Sequence, residues 1–317
     1  PRTPTVSKWV AGERKKCGDG LATPLLGKPP MDVASVMKPK TYRVDFRFEE
    51  LGLTLKGAGK KVVLRGVTGS IRSGRVTAVM GPSGAGKSTF VTTLAGKASY
   101  GTQSGHVLIN GVEQSLAGPN FKGLVGFVPQ DDVMLRMLTV KENLTYSALM
   151  RLPLAWPTQR KKQFVRATLA ILGLEEIRHS RIGDEANRGI SGGQRKRVNI
   201  GLEFVADPTV LFLDEPTSGL DSTSSLEVCA ALSKIASLGV TVVTVIHQPR
   251  YEIFCAFDDV LLLGPGGRGG HCVLAKFLAV PENVLEHDYG VVDQHAHTER
   301  EPTKAHDVQT DSGGFHE

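Results

Sequence analysis

Residues 81–89 combine three glycines with one lysine and three hydroxyl side chains. They lie between the apolar stretch 75–80 and a predicted helix at 90–98. The order fits the pattern G-x-x-x-x-G-K-[ST], in which glycines let successive backbone N–H groups point at phosphate oxygens. The start of the following helix adds partial positive charge. A glycine-rich turn with an incidental lysine is the alternative, but the flanking strand and helix argue against it. The predicted phosphate loop consists of Gly81, Pro82, Ser83, Gly84, Ala85, Gly86, Lys87, Ser88 and Thr89.

Within this loop the charged and hydroxyl side chains have separate predicted tasks. Lys87 bridges the β- and γ-phosphates of a nucleoside triphosphate, and the Ser88 hydroxyl binds Mg²⁺. Two acids, Asp214 and Glu215, follow the apolar run 210–213. A buried strand would fix both carboxylates, so that Asp214 holds Mg²⁺ and Glu215 takes a proton from an attacking water. The alternative is that the two acids are simply solvated at the end of a strand. The presence of the predicted phosphate loop at 81–89 argues against this alternative.

A second glycine pair lies in Ser191-Gly192-Gly193-Gln194 and opens a helix predicted to run to Val205. Ser191 and Gln194 also fit a capping box, which is the structural alternative. A capping box does not need two glycines, which weaken the first helical turn, whereas exposed glycine amides suit a second phosphate contact. The run Arg195-Lys196-Arg197 that follows is predicted to form a solvated face.

The remaining pattern predicts the elements around these motifs. Continuous apolar runs at 75–80, 209–213, 240–246 and 259–263 indicate strands of a parallel sheet covered by helices. More alternating stretches at 44–55, 62–71 and 106–109 indicate a smaller antiparallel sheet. Thr139 and Glu142 form a capping box for a helix to about Met150, and a second helix is predicted over 158–172.

Charge divides the 317 residues into three parts, although the whole chain has only a formal net charge of +6. Residues 1–40 are basic and proline-rich and are predicted to be a flexible arm, while 276–317 form an acidic, histidine-rich tail. The domain at 41–275 carries a mild basic surplus, which suits phosphate binding but is too little mixed with aromatics to predict a nucleic-acid partner. No run approaches the roughly 18 apolar residues of a membrane-spanning helix. The cysteines show no spacing typical of metal sites and are expected to be reduced.

Together these motifs resemble the nucleotide-binding domain of ATP-binding cassette (ABC) transporters. ISGGQ at 190–194 matches the family signature, and the segments 127–130, 218–221 and 245–249 resemble its Q-loop, D-loop and switch-histidine loop. The stretches 188–203, 127–132 and 214–222 look most like the G, or white-brown, subfamily. The resemblance implies an α/β fold, a P-loop NTPase cassette with a parallel core sheet, an antiparallel β subdomain and a helical subdomain at about 131–205.

The resemblance also implies a mechanism, in which ATP and Mg²⁺ are the cofactors. Two cassettes would sandwich two ATP molecules head to tail, with loop 81–89 of one facing Ser191, Gly192 and Gly193 of the other. Gln130 would touch Mg²⁺ and sense the γ-phosphate, and His247 would contact the γ-phosphate and hold Glu215 and water in line. Asp221, in the D-loop, and Gln194 would complete the ATP site. The family implies a membrane-associated cassette on the cytoplasmic face, with a transmembrane domain outside this chain, that drives export.

Two departures from the family are visible. Its members commonly stack adenine on an aromatic ring in the first antiparallel strands, but residues 51–55 contain no ring. Residues 267–280 follow the usual strand and helix poorly. The alternatives to an exporter cassette are a soluble ABC-type ATPase switch, or a truncated nucleotide-binding fragment that has no transport activity.

Overall fold

The computed structural model describes residues 33–57, 60–116, 118–183, 189–265 and 274–275. Ten strands and eight helices lie within these ranges. The strands are β1 (Phe46–Leu55), β2 (Val62–Ile71), β3 (Val76–Met80), β4 (Gly101–Ile109), β5 (Val112–Glu113), β6 (Val125–Val128), β7 (Val210–Leu213), β8 (Thr241–Val245), β9 (Asp259–Leu262) and β10 (Leu274–Ala275). The helices are α1 (Val33–Val36), α2 (Lys87–Leu94), α3 (Pro119–Lys122), α4 (Val140–Arg151), α5 (Thr158–Ile171), α6 (Gly192–Phe204), α7 (Ser222–Ser237) and α8 (Tyr251–Cys255).

A six-stranded sheet forms the centre of the domain, with the strand order β10-β9-β3-β8-β7-β6. The pairs from β9 to β6 are parallel, and β10 runs antiparallel to β9. Every residue of β3, β7, β8 and β9 is buried, as expected of strands covered by helices on both faces. The parallel core sheet predicted from the continuous apolar runs is confirmed.

A second sheet is antiparallel and has the order β2-β1-β4-β5. Its buried face packs into one apolar cluster with α2 and with the other face of the core sheet; Phe48 meets Phe90 of α2 edge to face at 5.3 Å. This sheet was predicted from three alternating stretches, and β4 begins five residues earlier than its predicted start at His106. The packing fixes the start of α2 relative to the core sheet.

Helices α4, α5 and α6 occupy most of the range predicted for a helical subdomain. The capping box of α4 is present, because Thr139 Oγ1 accepts a hydrogen bond from Glu142 N and Glu142 Oε2 accepts one from Thr139 N at 2.8 Å. The α6 helix packs closely on its neighbours at Gly201, where a Cβ atom would lie 2.8 Å from Leu172 and 2.9 Å from Leu144. A side chain at this position would require Leu172 and Leu144 to move, so glycine allows the close approach of α6.

Residues 33–40, the end of the predicted basic arm, pack against the cassette. Met37 is buried in the main apolar cluster, and Lys40 Nζ makes an ion pair of 2.6 Å with Asp207. The backbone N–H of Lys40 also donates to Leu238 O. The packed part of the domain therefore includes these residues, whereas the rest of the predicted arm (1–32) and the predicted acidic tail (276–317) lie outside the described residues.

Candidate active site

The predicted phosphate loop connects β3 to α2 and folds around its own lysine. Gly84 and Gly86 have φ values of 76° and 86°, in the left-handed region that a side chain disfavours. Lys87 Nζ donates to Gly81 O at 2.9 Å and to Pro82 O at 3.0 Å. Burial lowers the pKa of Lys87, while the nearby carboxylates of Glu215 and Asp214 act in the opposite direction. The loop thus holds a buried ammonium group beside two acids.

Strand order explains why distant residues meet at this loop. The adjacent parallel strands β3, β8 and β7 end at the same edge of the core sheet, with Val79 opposite Val245 and Leu213 opposite Thr244. Gly81, His247 and Asp214 follow these three strands within one or two residues. The carboxyl ends of neighbouring parallel strands are where ligands commonly bind in open α/β sheets.

Two of the three predicted metal ligands, Ser88 and Asp214, are in direct contact. Ser88 Oγ, in the first turn of α2, donates a hydrogen bond of 2.8 Å to Asp214 Oδ1 after β7. Burial raises the pKa of Asp214, the bond from Ser88 lowers it, and neighbouring Glu215 raises it further. The contact joins residues 126 positions apart in the chain, which makes it a product of the tertiary fold.

Gln130 and Glu215 form a second contact at the same edge. The Gln130 side-chain amide donates to Glu215 Oε2 at 3.2 Å. Glu215 has a φ of 46°, an uncommon conformation for a residue with a side chain. Backbone of this kind tends to persist where the surrounding structure enforces it, and it is frequent at functional sites. The structure therefore brings together Lys87, Ser88, Asp214, Gln130 and Glu215.

His247 and Asp221 have different surroundings. His247 is exposed two residues beyond β8, and Gln248 beside it has a φ of 39°. Asp221 is the N-cap of α7, and its Oδ2 accepts a hydrogen bond of 3.1 Å from Ser224 N. The hydrogen bonds from Ser224 lower the pKa of Asp221. In this structure Asp221 has a capping function, in addition to the nucleotide contact predicted for it.

The second glycine pair lies at the start of α6, where the capping box predicted as the alternative is present. Ser191 Oγ accepts from Gln194 N at 3.2 Å, and Gln194 Oε1 accepts from Ser191 N at 2.9 Å. A Cβ atom on Gly193 would lie 2.6 Å from Cβ of Ser224 in α7, so close packing is one reason for this glycine. The capping bonds use only Ser191 and Gln194, so the N–H groups of Gly192 and Gly193 take no part in them. Gly192 is half-buried and Gly193 is buried, so the expectation of exposed glycine amides is wrong for Gly193.

The prediction of a solvated basic face at Arg195-Lys196-Arg197 is wrong for the last two residues, which are buried. Arg197 Nη2 bonds to Glu227 Oε2 at 2.9 Å, and its Nη1 donates to Leu172 O at 3.0 Å. Lys196 Nζ contacts Gln130 O and lies 2.9 Å from Asp132 Oδ1. Partners from other elements compensate both charges and offset part of the cost of burying them.

Sequence reasoning missed two further polar residues of α6. Asn199 is buried and donates to Asp131 O at 3.3 Å, and Glu203 Oε2 accepts from Phe127 N at 3.2 Å. Asn199 lies three residues after Lys196, and Glu203 lies four residues after Asn199. This spacing could have predicted that the three residues share one helix face. Nothing in the sequence identified the segment that this face contacts.

The stretch without an aromatic ring, 51–55, belongs to β1. Leu51 and Leu53 are both buried in the apolar cluster under the antiparallel sheet, so neither side chain replaces the missing ring. Val63 of β2 lies nearer to the phosphate loop, with Cγ1 3.5 Å from the position that a Cβ on Gly86 would occupy. The surface beside the loop at this point is aliphatic.

Known proteins are similar to this chain in sequence. The ABC transporter family model matches residues 64–218. ABC transporter G family member 28 of Arabidopsis thaliana is 50% identical over 228 residues, which are 72% of this chain and 20% of that protein. The rat broad substrate specificity ATP-binding cassette transporter ABCG2 is 42% identical over 226 residues, 71% of this chain and 33% of that protein. This chain thus corresponds to between a fifth and a third of the length of these relatives.

The fold, the phosphate loop and these matches define an ABC-type ATP-binding cassette. Within that class the chain is similar to members of the G family, which include the putative white-brown complex homolog protein 30 of Arabidopsis thaliana, 50% identical over 224 residues, 71% of this chain and 20% of that protein. The family is one of membrane transporters. Among the residues that the structure describes, none of the helices has the length and apolar character required to cross a membrane.

Proposed function

We propose that this chain is the ATP-hydrolysing cassette of a G-family exporter and that Glu215 is its catalytic base. The observation that carries the proposal is the cluster at the carboxyl edge of the core sheet. There the Ser88–Asp214 contact of 2.8 Å lies beside the Gln130–Glu215 contact of 3.2 Å, and both acids lie near the buried Lys87. A cation, a hydroxyl, an amide and two carboxylates are the groups that phosphoryl transfer to water requires.

In the proposed reaction, water attacks the γ-phosphorus of ATP and the bond from that phosphorus to the bridging oxygen breaks. ADP leaves with the electron pair, and the proton of the attacking water passes to Glu215. Lys87 and the backbone N–H groups of 81–89 hold the phosphates. His247, exposed at the same edge, contacts the γ-phosphate and orients the water.

The same residues fit a magnesium ion. Ser88 and Asp214 provide oxygen ligands from two elements, and Gln130 provides a third side-chain oxygen at this edge. Magnesium prefers such hard oxygen ligands and commonly uses one or two carboxylates together with substrate phosphates. When bound, the ion neutralises charge on the β- and γ-phosphates.

We further propose that the site is completed by a second cassette, arranged head to tail. Ser191, Gly192 and Gly193 of one copy would face the phosphate loop of the other, with their amides at a helix N-terminus. In support, Gly192 and Gly193 open α6, and Ser191 caps it through its side chain. Gln194, which follows Gly193 in α6, and Asp221, the N-cap of α7, would line the contact between copies.

Mixing two defective chains tests this arrangement. Lys87→Met removes the cation of the phosphate loop, and Ser191→Arg blocks the Ser191–Gly193 segment. A mixed dimer then has one site with both defects and one intact site. Random exchange makes about half of the dimers mixed, so up to about a quarter of the wild-type ATPase activity should return. A mixture as inactive as each variant alone, with dimers present by light scattering, would contradict the shared site.

An exposed apolar surface supports a membrane-domain partner. We define the apolar rim as residues that are all more than half exposed: Val133, Leu135, Met137, Tyr146, Met150 and Leu154. Asn143 of α4 connects this helix to the segment that contains Leu135. Its Oδ1 accepts a hydrogen bond from Leu135 N, and its Nδ2 donates one to Leu135 O, both at 3.0 Å. Several large apolar groups exposed on neighbouring segments are typical of a protein contact.

The partner proposal has its own experiment. In the complete gene product, Met150→Glu with Leu154→Glu should weaken export and uncouple it from ATP hydrolysis. Val112→Glu, at an exposed valine of the antiparallel sheet, is the control. Membrane association on the cytoplasmic face is tested by protease access in sealed and opened vesicles. A chain that purifies with ribosomes instead would favour the soluble switch, and a monomer with negligible turnover at high ATP would favour the truncated fragment.

A further inference from the structure

One face of α6 binds the segment that contains Gln130. Lys196, Asn199 and Glu203 are three and four residues apart, so they lie on the same side of the helix. Each contacts the stretch 127–132, which we name the Gln130 segment. Glu203 accepts from Phe127 N, Lys196 donates to Gln130 O, and Asn199 donates to Asp131 O. The ion pair between Lys196 and Asp132 adds a fourth connection.

Lys196 is the central member of this set. Its side chain is 8% exposed, and its ammonium is compensated by one carbonyl and one carboxylate, both from the Gln130 segment. A buried cation requires such partners, so its position and that of the segment depend on each other. Neither Lys196 nor Asp132 belongs to the cluster around the phosphate loop described above.

The same helix begins at the glycine pair. Ser191 caps α6, and Lys196 follows five residues later, about 7.5 Å along the helix axis. An α-helix of this length moves as a rigid body, so any displacement of its N-terminus displaces Lys196 as well. The Gln130 side chain in turn contacts Glu215. A continuous chain of contacts therefore leads from Ser191 through Lys196 and Gln130 to Glu215.

We propose that Lys196 is a positioning residue that couples the start of α6 to Gln130, so that the arrival of a second cassette at Ser191–Gly193 sets the position of the Gln130 amide against Glu215. This inference rests on the proposed function. Hydrogen bonds with Asn199 and Glu203 hold the rest of the Gln130 segment on this helix face. In this proposal Lys196 acts through Gln130 rather than by binding the nucleotide itself.

The first test is a double-mutant cycle in the full chain. Lys196→Met should lower kcat on the order of tenfold while leaving ATP affinity within about twofold, because a misplaced group affects the reacting geometry more than the ground state. Gln130→Ala should cause a similar loss. If Lys196 acts through Gln130, the double variant should be no slower than Gln130→Ala alone. Lys162→Met, at an exposed lysine of α5, is the control and should leave both quantities unchanged.

Two milder variants cover the case in which Lys196→Met does not fold. Lys196→Arg keeps the cation and should restore part of the rate, and Asp132→Asn keeps the volume but removes the ion pair. Hydrogen–deuterium exchange of peptides covering 127–132 should be faster in Lys196→Met and in Asp132→Asn than in the wild type. Peptides covering 81–89 should exchange as in the wild type.

The outcomes separate this inference from the proposed function. Additive losses in the double variant, or wild-type exchange of the Gln130 segment in both variants, would overturn the coupling by Lys196 even if the chain hydrolyses ATP. A wild-type chain without ATP turnover would contradict the proposed function, while the exchange measurements would still decide whether Lys196 holds the segment.

Discussion

The side-chain amide of Gln130 donates a 3.2 Å hydrogen bond to Glu215, linking the end of β6 to the end of β7. These strands are neighbours in the core sheet, with Val128 opposite Leu213. The contact therefore follows from strand order rather than from proximity in the chain. It joins the proposed base to the segment that α6 holds, and it makes Glu215 the most informative residue to change.

Replacing Glu215 by Gln should abolish turnover without abolishing ATP binding. Glutamine keeps the volume and can still contact Gln130, but it does not accept a proton from water at neutral pH. Loss of a general base costs about 10²- to 10⁴-fold in rate. Turnover is measured as phosphate release and affinity by nucleotide titration. Glu176→Gln, at an exposed acid, serves as the control; full activity in the Glu215 variant would remove it from its assigned role.

Lys87→Met should weaken ATP binding by at least about tenfold and leave the fold as stable as before, or more stable. Burial lowers the pKa of Lys87, which means that the folded protein disfavours its charge before nucleotide arrives. An apolar side chain of similar length removes that cost, since taking a charged group out of water is unfavourable. Nucleotide titration and thermal unfolding check the two effects, with the exposed Lys122→Met as control. A variant that binds ATP normally would argue against the phosphate contact.

The two capping boxes offer a matched pair of variants. Ser191→Ala and Thr139→Ala each remove the side-chain acceptor of a helix N-terminus, and each should cost about 1 kcal/mol of unfolding free energy. Only the Ser191 variant should also lower ATPase activity, because only that helix start is proposed to face ATP. Urea unfolding and phosphate release measure the two effects. Equal loss of activity in both variants would reduce Ser191 to a structural cap.

The cap at Asp221 predicts a pH dependence of stability. Hydrogen bonds from Ser224 lower the pKa of Asp221 in the folded state. A lowered carboxyl pKa means that the cap stabilises the fold above the usual range for aspartate, near pH 4, and that this contribution is lost as the pH falls through the folded pKa. Asp221→Asn retains an uncharged cap, so its stability should depend less on pH in this acidic range. The measurement is the unfolding temperature of the wild type and of Asp221→Asn from neutral to acidic pH. If the two proteins lose stability in parallel as the pH falls, Asp221 is not the source of this pH dependence.

Local pattern was sufficient for several features. The phosphate loop, the buried strand before Asp214 and both capping boxes were predicted from contiguous residues, and the strands and helices that were predicted are present, although β4 begins five residues earlier than expected. These features depend on backbone conformation and short-range hydrogen bonds. Glycines at 84 and 86 allow the turn, and an apolar run of five residues forms a buried strand wherever helices cover it.

Burial of charge could not be predicted in the same way. Lys196 and Arg197 belong to a basic run that resembles a solvated face, yet their partners Asp132 and Glu227 lie 64 and 30 positions away in the sequence. Whether a charge is buried depends on the partners that the fold brings to it, and those come from other elements. The sequence alone determined which residues could bind a triphosphate, whereas only the tertiary structure decided that α6 binds the Gln130 segment, because that contact exists only after the helices have packed against the core sheet.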